Sequence, residues 1–173
     1  MKTYLDTVIV GLGIFFLSFG FYLVWERQTP HNFVYASSST TSQIAVPSRL
    51  TISSANIDLP IYSSRIVEGK WGVTSEGVSY LSTSPLPGKV GNTVMYGHNW
   101  ANLLGSLKNV KTGDTISITT SDGTVLKYDV HFVSIVTPDE THIYQNTEDY
   151  RLTLYTCIGF LDSKRLVVTA ILE

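Results

Sequence analysis

The chain has 173 residues, 15% of them charged and 43% hydrophobic, with 12 Lys+Arg against 14 Asp+Glu and a formal charge of −2. That balance excludes a basic nucleic-acid binder, a long acidic tail and a wholly disordered chain, and the length suits one compact domain with an appendage. The single cysteine, Cys157, excludes an intrachain disulfide framework and a multi-thiolate zinc site.

The first predicted element is a transmembrane anchor within residues 1–27. Residues 7–25, TVIVGLGIFFLSFGFYLVW, carry no Asp, Glu, Lys or Arg. As a helix rising about 1.5 Å per residue they reach about 28 Å, enough for a hydrocarbon core of about 30 Å. Apolar side chains lie on every side, and Tyr4, Tyr22 and Trp25 fall near the ends, where amphipathic rings favour the interface. The alternative is a cleaved secretory signal, for which Val34-Tyr35-Ala36 supplies a small-residue pattern. The apolar run is longer than the roughly 7 to 15 residues of such a signal and ends well short of Ala36. Lys2 at one end and Glu26-Arg27 at the other favour an inside N-terminus, and either reading exports the C-terminal domain. The expectation is a single-pass protein of the cell membrane with its domain outside the cytoplasm. Residues 28–47 lack Asp, Glu, Lys and Arg and centre on SSSTTSQ, which predicts a flexible linker.

Residues 48–173 read as the folded domain. Short β-rich runs recur at residues 49–52, 59–62, 78–81, 92–96, 115–119, 125–136, 151–156 and 165–172, with turn signals at Pro87-Gly88 and Asp122-Gly123. Eight short strands with few helical periods predict a mainly β fold, a closed barrel in preference to a sandwich. Helix is expected only at residues 102–107, where Leu103, Leu104 and Leu107 share a face, and for a turn or two after Pro138. Charges are spread without a basic patch, so no nucleic-acid partner is expected. Four scattered His and one Cys offer no metal-ligand spacing, and neither metal nor cofactor is expected.

The candidate chemistry lies late in the chain. Along residues 151–157, strand alternation sends Leu152, Leu154 and Thr156 one way and Thr153, Tyr155 and Cys157 the other, so that Cys157 ends a strand on the more polar face. If the strand resuming at Arg165 pairs back antiparallel with Cys157 opposite Arg165, then Tyr155 meets Val167, and thiol and guanidinium share a face. His98 follows the run Thr93-Val94-Met95-Tyr96-Gly97 and also stands where a strand opens into a loop. A His beside a Cys can take its proton or stabilise its thiolate, and an Arg fork suits a developing oxyanion. Each residue also has a plainer reading: Cys157 as a small buried hydrophobe, His98 as an ordinary surface or core histidine, Arg165 as a solvated strand-end cation. Export weighs against an idle outward thiol, which would risk oxidation. His131 on a strand's polar face with Asp129, His142 beside Asp139 and Glu140, and His31 in the linker are not candidate bases.

These residues resemble the sortase family of membrane-anchored cysteine transpeptidases. TLYTC at Thr153 to Cys157 is similar to the family's nucleophile strand, GNTVMYGHN at Gly91 to Asn99 to its histidine segment, and KRLVV at Lys164 to Val168 to its arginine strand, in the family's order. Weaker echoes lie in PSRLTISSANIDLPI, PGKVGN and LKNVKTGD. The resemblance implies an eight-stranded sortase barrel with short helices over residues 48–173. It also implies a two-step acyl transfer in which Cys157 attacks a carbonyl in a C-terminal sorting signal, often LPXTG-like, and an amine such as a cell-wall precursor resolves the thioester. By the same resemblance His98 is general acid and base, Arg165 the oxyanion or substrate contact, and Thr156 a substrate-side aid through its backbone or hydroxyl. Ile-Gly-Phe follows Cys157 where many relatives place a proline, no second apolar span follows Glu173 and no lid-like insertion precedes the domain. These departures point to a housekeeping-like or class D or E type. The competing readings are a cysteine peptidase that hydrolyses the same acyl-enzyme and a non-catalytic anchored β-domain binding surface partners; the papain order, Cys before His, does not fit.

Overall fold

In the computed structural model, residues 18–19, 21–22, 45–67 and 70–173 are described. The chain divides into two compact units, Met1–His31 and Asn32–Glu173. The expected anchor at residues 1–27 and most of the expected linker at residues 28–47 lie outside the described residues, apart from the helical Ser18, Phe19, Phe21 and Tyr22. No helix among the described residues is long and apolar enough to cross a membrane.

In chain order the strands are β1 (Pro47–Ile52), β2 (Ile57–Ser64), β3 (Ile66–Val67), β4 (Lys70–Trp71), β5 (Val78–Leu81), β6 (Gly91–Gly97), β7 (Thr115–Thr120), β8 (Val125–Val136), β9 (Tyr150–Ile158) and β10 (Lys164–Leu172). Eight of them close a barrel in the order β1-β2-β5-β6-β9-β10-β8-β7, with β7 returning to β1, while β3 and β4 make a separate two-stranded piece. Two pairs, β2–β5 and β6–β9, are parallel. A parallel pair needs a crossover, and that of β6–β9 is residues 98–149, which carry β7 and β8 on the way. The barrel predicted from the sequence is therefore present, and its first strand begins at Pro47, the last residue assigned to the linker.

The alternation of the sequence decides what fills the barrel. Leu50 and Ile52 from β1, Ile116 and Ile118 from β7, Leu152 and Leu154 from β9, and Leu166, Val168 and Ala170 from β10 point inward and are buried in one cluster. An eight-stranded barrel is just wide enough for such side chains to fill. Tyr128 is buried among them, and its hydroxyl accepts the Gly88 N–H at 2.8 Å. The Asp122-Gly123 turn joins β7 to β8 as expected: Gly123 takes φ +86°, and Asp122 Oδ1 accepts the Thr124 N–H at 3.0 Å. Helical structure is limited to short 3-10 turns. Leu104–Asn109 and Thr141–Tyr144 match the two predicted positions, and Leu103, Leu104 and Leu107 are buried against the barrel core. The turns Ser53–Ala55 and Phe160–Asp162 were not anticipated.

One strand departs from simple alternation. The β8–β10 register runs Phe132↔Thr169 and then Val130↔Ala170, so an extra residue, His131, bulges out of β8. The bulge swaps the faces beyond it, and Phe132, which alternation from Tyr128 and Val130 would send inward, is 68% exposed.

Candidate active site

Three neighbouring strands, β6, β9 and β10, carry the candidate residues. The β9–β10 hairpin pairs Cys157 with Arg165 and Tyr155 with Val167, the register expected from the sequence. On the other side of β9, parallel β6 pairs Tyr96 with Tyr155 and Gly97 with Thr156. His98 is the next residue after Gly97, so it leaves β6 directly beside the Cys157 end of β9. With strands about 4.8 Å apart, Cys157 stands in the middle strand, flanked by His98 on one side and Arg165 on the other.

Local bonds fix each of these positions. Thr156 is 1% exposed, and its hydroxyl donates to the Gly97 carbonyl at 2.8 Å, stitching β9 to β6 just before His98 and Cys157 diverge. That hydroxyl lies on the barrel's inner side with Leu152 and Leu154. The His98 ring is half-buried and stacks on Trp100 at 4.4 Å and 7°. Arg165, also half-buried, donates through Nη1 to the carbonyls of Asp162 at 2.8 Å and Lys164 at 3.1 Å, which braces the guanidinium against the β9–β10 connection. In that connection Leu161 and Asp162 adopt left-handed φ of 50° and 57°, and Phe160 and Leu161 are 84% and 76% exposed. Cys157 itself is half-buried.

The face that carries Cys157, the more polar of the two by composition, is covered rather than open. Thr153 and Tyr155 are buried, and Tyr155 joins Leu81, Val94, Tyr96 and Val167 in a second apolar cluster on the outside of the barrel. Trp71 from β4 covers it, edge-on to Tyr96 at 4.9 Å, to Tyr144 at 5.3 Å and to Tyr155 at 5.7 Å, while Tyr96 and Tyr155 stack at 5.5 Å. The result is a buried aromatic layer under Trp71 and Tyr144 that runs up to the Cys157 end of β9. Burial drives the Tyr155 phenol far above its ordinary pKa, helped by Tyr96, Cys157 and Tyr144 and opposed by Arg165. Tyr155 is thus electrostatically coupled to both Cys157 and Arg165.

Sequence reasoning missed these aromatic groups. Tyr96 and Tyr155 were within reach of it, since each precedes a candidate residue by two positions on the same strand face. Trp71 and Tyr144 come from segments too short to show a period. His131 is exposed at the bulge, and His142 is an exposed partner of Glu140 at 3.0 Å. Among the described residues no group of three His, Cys, Asp or Glu could hold a metal ion. Strand positions that set a thiol between an imidazole and a guanidinium at one barrel rim suit nucleophilic attack on a peptide carbonyl.

Residues 50–173 match the family model described as a sortase domain. Over 124 residues the chain is 30% identical to Sortase A of Bacillus anthracis, covering 69% of this chain and 56% of that protein. It therefore spans little more than half the length of that relative. Among solved structures, a lid mutant of Sortase A from Corynebacterium diphtheriae superposes with a TM-score of 0.64 at 32% identity, covering 74% of this chain and 70% of the other. Sortase C-1 from Actinomyces oris superposes with a TM-score of 0.61 at 32% identity, covering 73% and 71%.

Proposed function

The chain belongs to the sortase family, and from that premise we propose that it is a cysteine transpeptidase that attaches proteins bearing a C-terminal sorting signal to an amine at the cell surface. The observation that carries the reading is the juxtaposition of His98, Cys157 and Arg165 at the common end of β6, β9 and β10. In the first step the Cys157 thiolate adds to a backbone carbonyl of an LPXTG-like signal. The oxyanion so formed is stabilised by Arg165, whose plane the Asp162 and Lys164 carbonyls hold fixed. Collapse expels the downstream amine, which takes its proton from His98, and leaves a thioester. In the second step an acceptor amine, such as that of a cell-wall precursor, adds to the thioester, gives its proton to His98 and releases the thiolate. The thioester conserves enough reactivity for transfer to the second amine. Thr156 holds β9 to β6 so that thiol and imidazole stay in reach. Residues 1–27 would anchor this domain to the outer side of the membrane through the linker at residues 28–47.

Incubating the full chain with a library of sorting-signal pentapeptides and a simple amine, with products read by mass, tests the proposal. Native protein is expected to give the amine-linked product, and Cys157→Ala none while keeping its near-UV circular dichroism. Hydrolysis alone in the presence of abundant amine would favour a peptidase. No reaction with any peptide, together with a thiol inert to alkylation, would favour a binding domain.

A further inference from the structure

Asn92 stands on the same outer row as Tyr96 and His98, at the end away from the reactive thiol, and is 2% exposed. Its side-chain amide and its backbone N–H are all engaged. Its side-chain Nδ2 donates to the carbonyls of Ile143 at 3.0 Å and Gln145 at 3.1 Å, and its Oδ1 accepts the Thr153 hydroxyl at 2.8 Å. Its backbone N–H donates to Asn146 Oδ1 at 3.1 Å, and the preceding Gly91 N–H donates to the Asp149 carbonyl at 2.7 Å. A flipped amide would set its oxygen against two carbonyls and its nitrogen against a hydroxyl that could still accept, so the Ile143 and Gln145 carbonyls fix one orientation and Thr153 complements it. Thr153 lies on the row of Tyr155 and Cys157 and is likewise buried.

All the carbonyls that Asn92 and Gly91 hold belong to the connection between β8 and β9. That connection is otherwise lightly tied. Residues 137–142, Gln145, Asn146 and Glu148 are exposed, and its apolar hold on the barrel is through Ile143 and Tyr144 on the outer aromatic cluster. A segment with few buried apolar contacts depends on its buried hydrogen bonds for its place, and a satisfied buried network defines one geometry. Tyr144 in turn packs edge-on to Trp71, which packs edge-on to Tyr155, so the connection is joined through these rings to the strand that carries Cys157.

We propose that Asn92, oriented by Thr153, is a positioning residue that fixes the Ile143–Asn146 segment against the face that carries Cys157 and thereby sets substrate capture, while the reactivity of Cys157 is independent of it. The word substrate rests on the acyl-transfer reading above; the clamp itself does not. Asn92→Asp keeps the size and the acceptor for Thr153 but supplies at most one O–H, when protonated, in place of the two N–H groups that hold the carbonyls. Thr153→Val removes the hydroxyl at nearly constant shape, and Thr153→Ser restores it.

The test uses the full chain and three readouts. In steady-state transfer with a peptide the native enzyme accepts, Asn92→Asp and Thr153→Val are expected to raise KM by about tenfold with kcat within about threefold, and Thr153→Ser to behave as native. Alkylation of Cys157 by iodoacetamide should proceed at the native rate in all three. Amide hydrogen exchange should speed up by about tenfold or more at residues 143–150 in the two impaired variants and stay native in β9 and β10. Loss of kcat at native KM, slowed alkylation, native exchange at residues 143–150 in Thr153→Val, or a Thr153→Ser variant that fails like Thr153→Val would each overturn it. If Asn92→Asp fails to fold, the Thr153→Val and Thr153→Ser pair decides. Should no peptide be turned over by native protein, the transfer reading fails, while exchange and alkylation still decide the clamp.

Discussion

Tyr155 shows how a single residue near the thiol couples the site to the pH behaviour of the fold. Its phenol is pushed above the ordinary value of 10.0, first by burial and then by Tyr96, Cys157 and Tyr144. The folded state therefore favours the neutral phenol, whereas the unfolded chain ionises near its ordinary pKa. Below about pH 10 both states hold the proton and the stabilisation is fully present; as pH rises beyond that, the unfolded chain releases protons first and stability falls. Burial raises the pKa of Tyr80 and Tyr128 in the same direction, so the effect is shared. The melting temperature is expected to drop steeply above about pH 10 in the native chain and less steeply in Tyr155→Phe. An equal slope in both would show that Tyr155 is not the coupled group.

At the scale of elements, the start of β6 packs tightly against the connection between β8 and β9. Gly91 has φ +119°, and a Cβ there would overlap Asn146 Oδ1 and lie 2.6 Å from Pro85 Cγ. Gly91→Ala is expected to cost about 1–3 kcal/mol, through both backbone strain and displacement of the connection. A urea midpoint equal to that of the native chain would contradict this. The eight barrel strands were legible because short β-rich runs bounded by turn residues leave little else for those segments to be, whereas the Cys157↔Arg165 pairing was one conditional register that the seven residues between them allow and do not dictate. Thr156 was legible in direction too, since alternation groups it with Leu152 and Leu154. The bulge at His131 was not, because one extra residue alters pairing without altering composition. Nor was the covering of the Cys157 face, which depends on Trp71 and Tyr144, residues far apart in the chain and set in pieces of two and four residues.

The whole molecule separates stability from chemistry. The interior cluster holds the barrel, and the parallel β6–β9 pair carries His98 and Cys157, distant in sequence, to one end of it. Residues at that rim are half-buried and add little to the core, so they are free to be chosen for reactivity. The outer face then divides into a buried polar network at Asn92 and Thr153, a buried aromatic layer at Tyr96 and Tyr155, and the rim that carries His98, Cys157 and Arg165, the proposed reactive end. The central claim is that this end forms a thioester with a peptide carbonyl. Its most direct test is the intact mass of the full chain after brief acid quenching of a reaction with a sorting-signal peptide and no added amine. The account predicts a mass gain equal to the upstream part of the peptide, mapped to Cys157, removed by hydroxylamine and absent from Cys157→Ala. An adduct that persists in Cys157→Ala, or a peptide cleaved with no adduct on Cys157 at any quench time, would contradict it.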